Sequence, residues 1–279
     1  MNKIYLNYKY IKKIYEYIKN TTIYLIFLKI YSFLFKLIIK FYFKNKVTNK
    51  DGVVFYIEST RAYARVVKSK IIENKTQEWI NKMSNKSIFW DIGANIGTFT
   101  FMAAKRGMNV VSFEPLPSNY LALTRTLDLN QDISNKIIFL PNPLHKSLGI
   151  NYLNYLHNED AYSGAQFNNN SFLTTSSGKT PKKLYQIGVN QDFLTKILPL
   201  EFKFPQHIKI DVDGNELLVL KGLDKILLNA NMISLMVECN ENKTKNDAIS
   251  FLSELNYLLI DEQITQNNRG DINLFFKKK

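Results

Sequence analysis

The chain has 279 residues, 46% of them hydrophobic and 22% charged, with a formal net charge of +13. That suffices for one large α/β domain plus an appendage, and most of the chain is expected to fold. A single cysteine, Cys239, excludes an internal disulfide and a cysteine-based zinc site and fits a reducing cytoplasmic setting.

The basic charge is segregated. Residues 1–46 hold ten lysines against one acid, Glu16, a net +9 that leaves +4 for the rest. A nucleic-acid groove spread over the main domain is therefore not expected. Within this segment "TTIYLIFLKIYSFLFKLIIKFYF" (21–43) is long enough to span a bilayer. Lys29, Lys36 and Lys40 interrupt it, at spacings that share one helical face. On the insertion scale three central lysines cost roughly 8 kcal/mol, about what the apolar residues return. The expectation is a basic amphipathic helix peripheral to the inner face of the cytoplasmic membrane, held by anionic lipid. A helix packed on its own domain or on a partner subunit is the alternative. No small-residue cleavage site follows, so no signal peptide is expected.

The domain proper is expected over 47–279. "VVFYIES" and "ARVVKSK" read as two short strands, and "TQEWINKM" as a helix leading into the first core strand. From residue 88 strand and helix alternate: "SIFWDI", a helix from Gly97, "NVVSFE", a helix over 117–130, then "KIIFLP". This βαβαβ order predicts a parallel sheet with right-handed crossovers. Residues 142–186 break the rhythm. They are rich in Asn, Ser, Tyr and Gly, and read as a loop-like, acceptor-binding insertion. Alternation resumes with "HIKID", a helix over 214–228, "MISLMVE" and a helix over 245–255. "NYLLIDE" and "DINLFFKKK" follow with no helix between them and should pair antiparallel. The result is a mostly parallel seven-stranded sheet ending in an antiparallel pair, the outline of the Rossmann-like class I methyltransferase fold. The three histidines, His145, His157 and His207, lack metal-ligand spacing and read as free imidazoles on loops.

The turn in "FWDIGANIGTFTF" (89–101) sets a carboxylate, Asp91, beside Gly93 and Gly97 at a helix N-terminus. A dinucleotide pyrophosphate needs G-x-G-x-x-G and no nearby negative charge. Here Asn95 holds the middle position, and Asp91 would repel a phosphate. S-adenosylmethionine has no phosphate and is cationic at its ammonium and sulfonium, so the acid suits it. Glu114, ending "VVSFE", can accept both ribose hydroxyls. Asn142, just past "KIIFLP", is a further candidate on the cofactor side.

A second constellation is "KIDVDGNELLVLKG" (209–222). Alternation aims Lys209, Asp211 and Asp213 at the carboxyl end of a strand, where open α/β sheets bind ligands. Asp211 is the candidate base, Lys209 its orienting partner, and Glu238 in "LMVECNE" a carboxylate that could share the task. Asp213 and Glu216 could line the acceptor site or form a capping-box variant. Tyr162, in "AYSGAQF", could stack on a sugar face. Asp211, Asp213 and Glu238 could also hold a magnesium ion, although nothing in the sequence demands a metal.

Together, "FWDIGANIGTFTF", "VVSFEPLPSN", "HIKIDVDGNELLVLKG" and "SLMVECNE" resemble the FkbM-type S-adenosylmethionine-dependent methyltransferase family from about residue 53 onward. The resemblance implies the class I fold and O-methylation of a hydroxyl on a sugar, surface glycan or other small-molecule acceptor. It carries the cofactor role to Asp91, Gly93, Asn95, Gly97 and Glu114, and matches the family signature at Lys209, Asp211, Asp213 and Glu216. The basic N-terminal segment lies outside the family core. A reading from another class is a non-catalytic scaffold of a membrane-associated glycan-assembly complex.

Overall fold

The computed structural model describes residues 22–41, 45–168, 180–265 and 270–279. The expectations for residues 1–21, for most of "NNNSFLTTSSGKTPKK" and for the tip of "QITQNNRG" fall outside them. A helix, α1 (Thr22–Phe41), precedes a small antiparallel pair, β1 (Lys46–Thr48) and β2 (Val54–Tyr56), and two further helices, α2 (Thr60–Ile72) and α3 (Asn74–Asn81). Then come β3 (Ile88–Ile92), α4 (Thr98–Lys105), β4 (Asn109–Phe113), α5 (Pro117–Asp128) and β5 (Ile137–Leu140). The insertion contributes β6 (Gly149–Tyr155), β7 (Gln166–Phe167) and β8 (Lys182–Gly188). After α6 (Gln191–Ile197) and α7 (Leu200–Lys203), the chain forms β9 (His207–Ile210), α8 (Glu216–Lys221), α9 (Asp224–Leu228), β10 (Ser234–Asn240), α10 (Lys245–Glu254), β11 (Tyr257–Ile264) and β12 (Asp271–Lys278).

Seven strands make one sheet in the order β11-β12-β10-β9-β3-β4-β5. The contacts from β10 through β5 are parallel, and β12 runs antiparallel to both its neighbours. The order reverses between β3 and β9, so the crevice beyond their carboxyl ends is the place for a ligand. Alternation splits the central strands between two cores. Trp90, Ile92, Ile208 and Ile210 pack with Leu235 and Phe276 on one side. Phe89, Val110 and Met108 pack with Phe101 and Val66 on the other. Both faces are covered, which is why these strands read as nearly unbroken apolar runs.

Several expectations are corrected. "ARVVKSK" is helical, within α2. Ala62 and Val66 are buried one turn apart, and Ser59 Oγ accepts the Ala62 N–H at 3.0 Å in the manner of an N-terminal cap. The amphipathic period outweighs the strand preference of two valines. The insertion is not simply loop: β6 and β8 pair antiparallel from Gly149↔Gly188 to Tyr155↔Lys182. Leu153 is buried while Ile150, Tyr185 and Ile187 are exposed, a period of two diluted by Asn and Lys. The helix expected over 214–228 breaks at Gly222, where a Cβ would sit 2.4 Å from the His145 carbonyl oxygen. Two imidazoles are structural. His207 opens β9, its Nδ1 lies 2.8 Å from Ser234 Oγ, and burial pushes its pKa down to about 4. His145 is buried against Phe167, at 5.6 Å between ring centroids.

Candidate active site

The turn after β3 is made of backbone in conformations that its residues tolerate. Gly93 has φ 80°, and its N–H and that of Ala94 both donate to the Phe113 carbonyl, at 2.9 and 3.0 Å. A Cβ on Gly93 would lie 1.8 Å from the Asp211 carbonyl oxygen, so any side chain there would force the ends of β3 and β9 apart. Asn95 (φ 55°) bonds the next N–H, that of Ile96, with its own Oδ1 at 3.0 Å. Gly97, left-handed at φ 85°, starts α4.

Glu114 sits against this turn. Its Oε2 accepts the Asn95 N–H at 2.7 Å and its Oε1 the Leu116 N–H at 2.9 Å. Burial pushes its pKa up to about 7, and these two N–H bonds work in the opposite direction. The Asn119 side chain adds a third hydrogen bond, so of the carboxylate's roughly four acceptor positions about one remains for a ligand. Asn119, in the first turn of α5, lines the same pocket, is buried, and leaves Oδ1 unpaired. Two fixed acceptors thus face the pocket.

Under the turn lies a charged layer set by strand register. Asp91 is opposite both Ser112 and Lys209, so all three share a face of the sheet. Thr100 of α4 donates to Asp91 Oδ2 at 2.7 Å and lies 3.0 Å from Ser112 Oγ. Lys209 Nζ lies 3.4 Å from Asp91 Oδ1 and 3.2 Å from Asp211 Oδ2. Burial alone would depress the Lys209 pKa; the carboxylates of Asp211, Asp91 and Glu73 outweigh it and raise it above the ordinary lysine value. Lys209 is therefore a fixed cation. Asp91 is itself buried and lies beneath the pocket, outside its lining.

Asp211, Asp213, Glu114 and Arg65 line that pocket, a space of about 60 Å³. Its outer wall is the strap 161–166, held at several points. Asn95 and Asn119 both donate to the Tyr162 carbonyl, at 2.8 and 2.9 Å. Gly164 N–H donates to Asp213 Oδ2 at 2.6 Å, and the Gln166 amide donates to the Asp213 carbonyl. The Tyr162 ring is 8% exposed, packed 5.5 Å from His157 and 5.8 Å from the Arg61 guanidinium.

Beyond the strap opens a groove of about 660 Å³, lined among others by Gln166, Asp213, Glu216, Glu238, Lys243 and Asp271. The two spaces meet at Tyr162, Ser163 and Asp213. Glu216 uses Oε1 to accept the Gly214 N–H at 2.6 Å, and burial pushes its pKa up to about 7. Asp213 Oδ2 holds the strap. Burial, and then the neighbouring Asp211 and Asp213, raise the Glu238 pKa well above the usual carboxylate range. Asn142 turns away, donating to the Ile187 carbonyl at 3.0 Å. Among the described residues no three His, Cys, Asp or Glu side chains are arranged to hold a metal ion, and Asp211, Asp213 and Glu238 do not converge as one.

Sequence reasoning missed Thr100, Ser112, Asn119, Arg65 and Glu73. Asn119 stands in the "EPLPSN" stretch, five residues after Glu114, on the first turn of a helix that starts at Pro117. The others meet the site only through sheet register or helix packing.

A family profile described as "Methyltransferase FkbM domain" matches residues 91–259, more than half of the chain. The hexuronic acid methyltransferase AglP of Haloferax volcanii is 25% identical over 203 residues, 69% of this chain and 71% of that protein. Among solved structures, methyltransferase FkbM from Methylobacillus flagellatus KT is 16% identical with a TM-score of 0.49, over 70% of this chain and 44% of that one. This chain thus spans less than half of that structure's length. The M1A22 tRNA methyltransferase TrmK of B. subtilis is 13% identical with a TM-score of 0.42, over 73% of this chain and 64% of that one.

Proposed function

The chain belongs to the methyltransferase FkbM domain family, and from that premise we propose an S-adenosylmethionine-dependent O-methyltransferase that acts on a hydroxyl of a sugar or surface glycan. The observation that carries the proposal is the pair of buried acceptors, Glu114 and Asn119 Oδ1, facing one pocket beside Asp211. They suit a ligand that donates hydrogen bonds and carries positive charge, as the ribose hydroxyls and ammonium of S-adenosylmethionine do. Glu114, Asn119, Asn95 and the Gly93 turn would hold it. When bound, it supplies a methyl group on a sulfonium.

The chain's own residues supply the rest. Asp211, 19% exposed at its side chain, reaches the pocket and takes the proton of the acceptor hydroxyl. Lys209 holds that carboxylate in place and keeps its own charge. Glu238, with its raised pKa, is a strong proton acceptor once ionised and can share the task from the groove side. The pocket's 60 Å³ is far below the roughly 300–1,000 Å³ of a small-molecule site, so the strap 161–166 swings aside on cofactor entry. The named acceptor of the Haloferax relative, a hexuronic acid, supports a sugar acceptor. Incubation with labelled cofactor and candidate glycans, followed by mass analysis of the product linkage, tests this reading; product methylated on nitrogen or carbon would replace it.

The N-terminal segment (1–46) is proposed to hold the methyltransferase domain (47–279) at an anionic membrane surface on the cytoplasmic side. No described helix is long and apolar enough to cross a membrane. On α1, Phe27, Ile30, Tyr31, Phe33, Leu34 and Ile38 are all at least half exposed. Phe35 packs inward, 5.3 Å from the Tyr63 ring. Each lysine near the surface contributes on the order of 1 kcal/mol, a part that salt weakens. Sedimentation with anionic and neutral vesicles checks this: equal binding to both would remove the electrostatic attraction.

A further inference from the structure

The groove beside the pocket has a charge that bears on what can enter it. Asp213, Glu216, Glu238 and Asp271 line it, and among the described lining residues Lys243 is the one cationic side chain. Acidic clustering alone would say little, since carboxylates often serve turns. Two buried oxygens say more. Glu216 Oε2 and Gln166 Oε1 both border the groove and have no partner. Glu216 is 3% exposed, so water does not satisfy it cheaply. An amide oxygen accepts and never donates, so whatever meets Gln166 Oε1 must bring a hydrogen.

We propose that this groove holds an acceptor sugar bearing a protonated amine, and that it disfavours a sugar bearing a carboxylate. An ammonium offers three donors in a compact head. It answers both unpaired oxygens and is attracted by the surrounding acids. A uronate would set a negative charge beside Asp213 and Asp271, with Lys243 the one cation among the described residues lining the groove. Specificity here comes as much from that repulsion as from the attraction. The inference rests on the methyltransferase reading of the adjoining pocket.

Ligand-observed saturation-transfer NMR on the full chain tests it with three probes: methyl glucosaminide, methyl glucoside and methyl glucuronide. The expected order is amine, then neutral, then carboxylate, with at least about a tenfold gap in Kd between the ends, the scale of one charge-assisted hydrogen bond. Asp271→Lys should narrow or invert the order, and Glu216→Gln should narrow it through a different residue. Equal binding of all three sugars, binding of none, or a preference for the glucuronide would overturn the proposal. Titration of S-adenosylmethionine into the same samples keeps the two readings apart. Cofactor binding without an amine preference sinks only the acceptor class, whereas absent cofactor binding sinks the methyltransferase reading beneath it.

Discussion

The pocket and the groove that meet at Tyr162 and Asp213 are built in opposite ways. The pocket is made of turns: Gly93, Asn95 and Gly97 in left-handed backbone, and Glu114 clamped by the N–H of Asn95 in that turn and by that of Leu116. It is small, about 60 Å³. The groove is made of side chains from β7, α8, β10 and the start of β12, gathered only when the sheet forms, and it is about 660 Å³ and open. Asp211 belongs to the pocket's rim, two residues from the groove's Asp213, where the two ligands would meet.

The sharpest way to break this comparison is Asp211→Asn. It keeps shape and removes the proton acceptor, so turnover should fall about 10²–10⁴-fold while cofactor affinity stays close to the parent's. Full activity in that variant would move the base to Glu238, on the groove side.

Lys209→Met attacks the pocket's floor and also removes the partner of Asp211. It leaves Asp91 buried and without its counter-charge, which costs about 3–5 kcal/mol of stability. Urea denaturation should show that loss, and the double variant Lys209→Met, Asp91→Leu should recover part of it. No recovery would mean that Asp91 and Lys209 are not energetically coupled.

These partners mark the limit of what the sequence made legible. The strand-turn-helix around Gly93, the acid ending β4 and the antiparallel finish were readable because each is local: a period, a glycine, a missing helix. Asp91 was read as facing the ligand because its neighbours in sequence are the turn's glycines. Its neighbours in space are Thr100 and Lys209, the latter 118 positions away on β9, and no local pattern records that register. The same holds for "ARVVKSK", where burial against Phe89's side of the sheet favours the helix over the β-branched pair. The strands of the insertion were hidden because Asn154 is buried while Ile150, Tyr185 and Ile187 are exposed, so no clean alternation of apolar and polar residues marks them.

Titration separates the pocket from the groove more gently. Glu114 ionises near pH 7 in the fold and near 4.5 when unfolded, so between those values the folded state holds a proton that the unfolded state lacks. Its contribution to stability is present below about pH 4.5 and lost as pH rises through 7. Glu216 acts with the same sign. The melting temperature should therefore fall from pH 5 to pH 8, and Glu114→Gln should flatten the decline. Cofactor affinity should move the other way, rising by up to about tenfold per unit through pH 7, because ribose hydroxyls donate to the ionised form. A flat affinity profile would detach Glu114 from the cofactor.

The smallest effect concerns the strap dividing the two spaces. Ser118 Oγ donates to the Glu159 carbonyl at 3.0 Å, just before the strap and outside the pocket lining. The bond is exposed, so its loss in Ser118→Ala is worth about 0.5 kcal/mol, the low end for a hydrogen bond in water. That should roughly double the population of the open strap. Hydrogen exchange reads it directly. The Gly164 amide, bonded to Asp213 Oδ2, should exchange about twice as fast. The Asp211 amide, bonded to the Ile92 carbonyl within the sheet, should not change. Equal acceleration at both would mean that the substitution loosens the whole domain. Unchanged exchange at Gly164, with strap opening already far slower than the sheet's, would mean that the strap is a fixed wall and that the cofactor enters by another route.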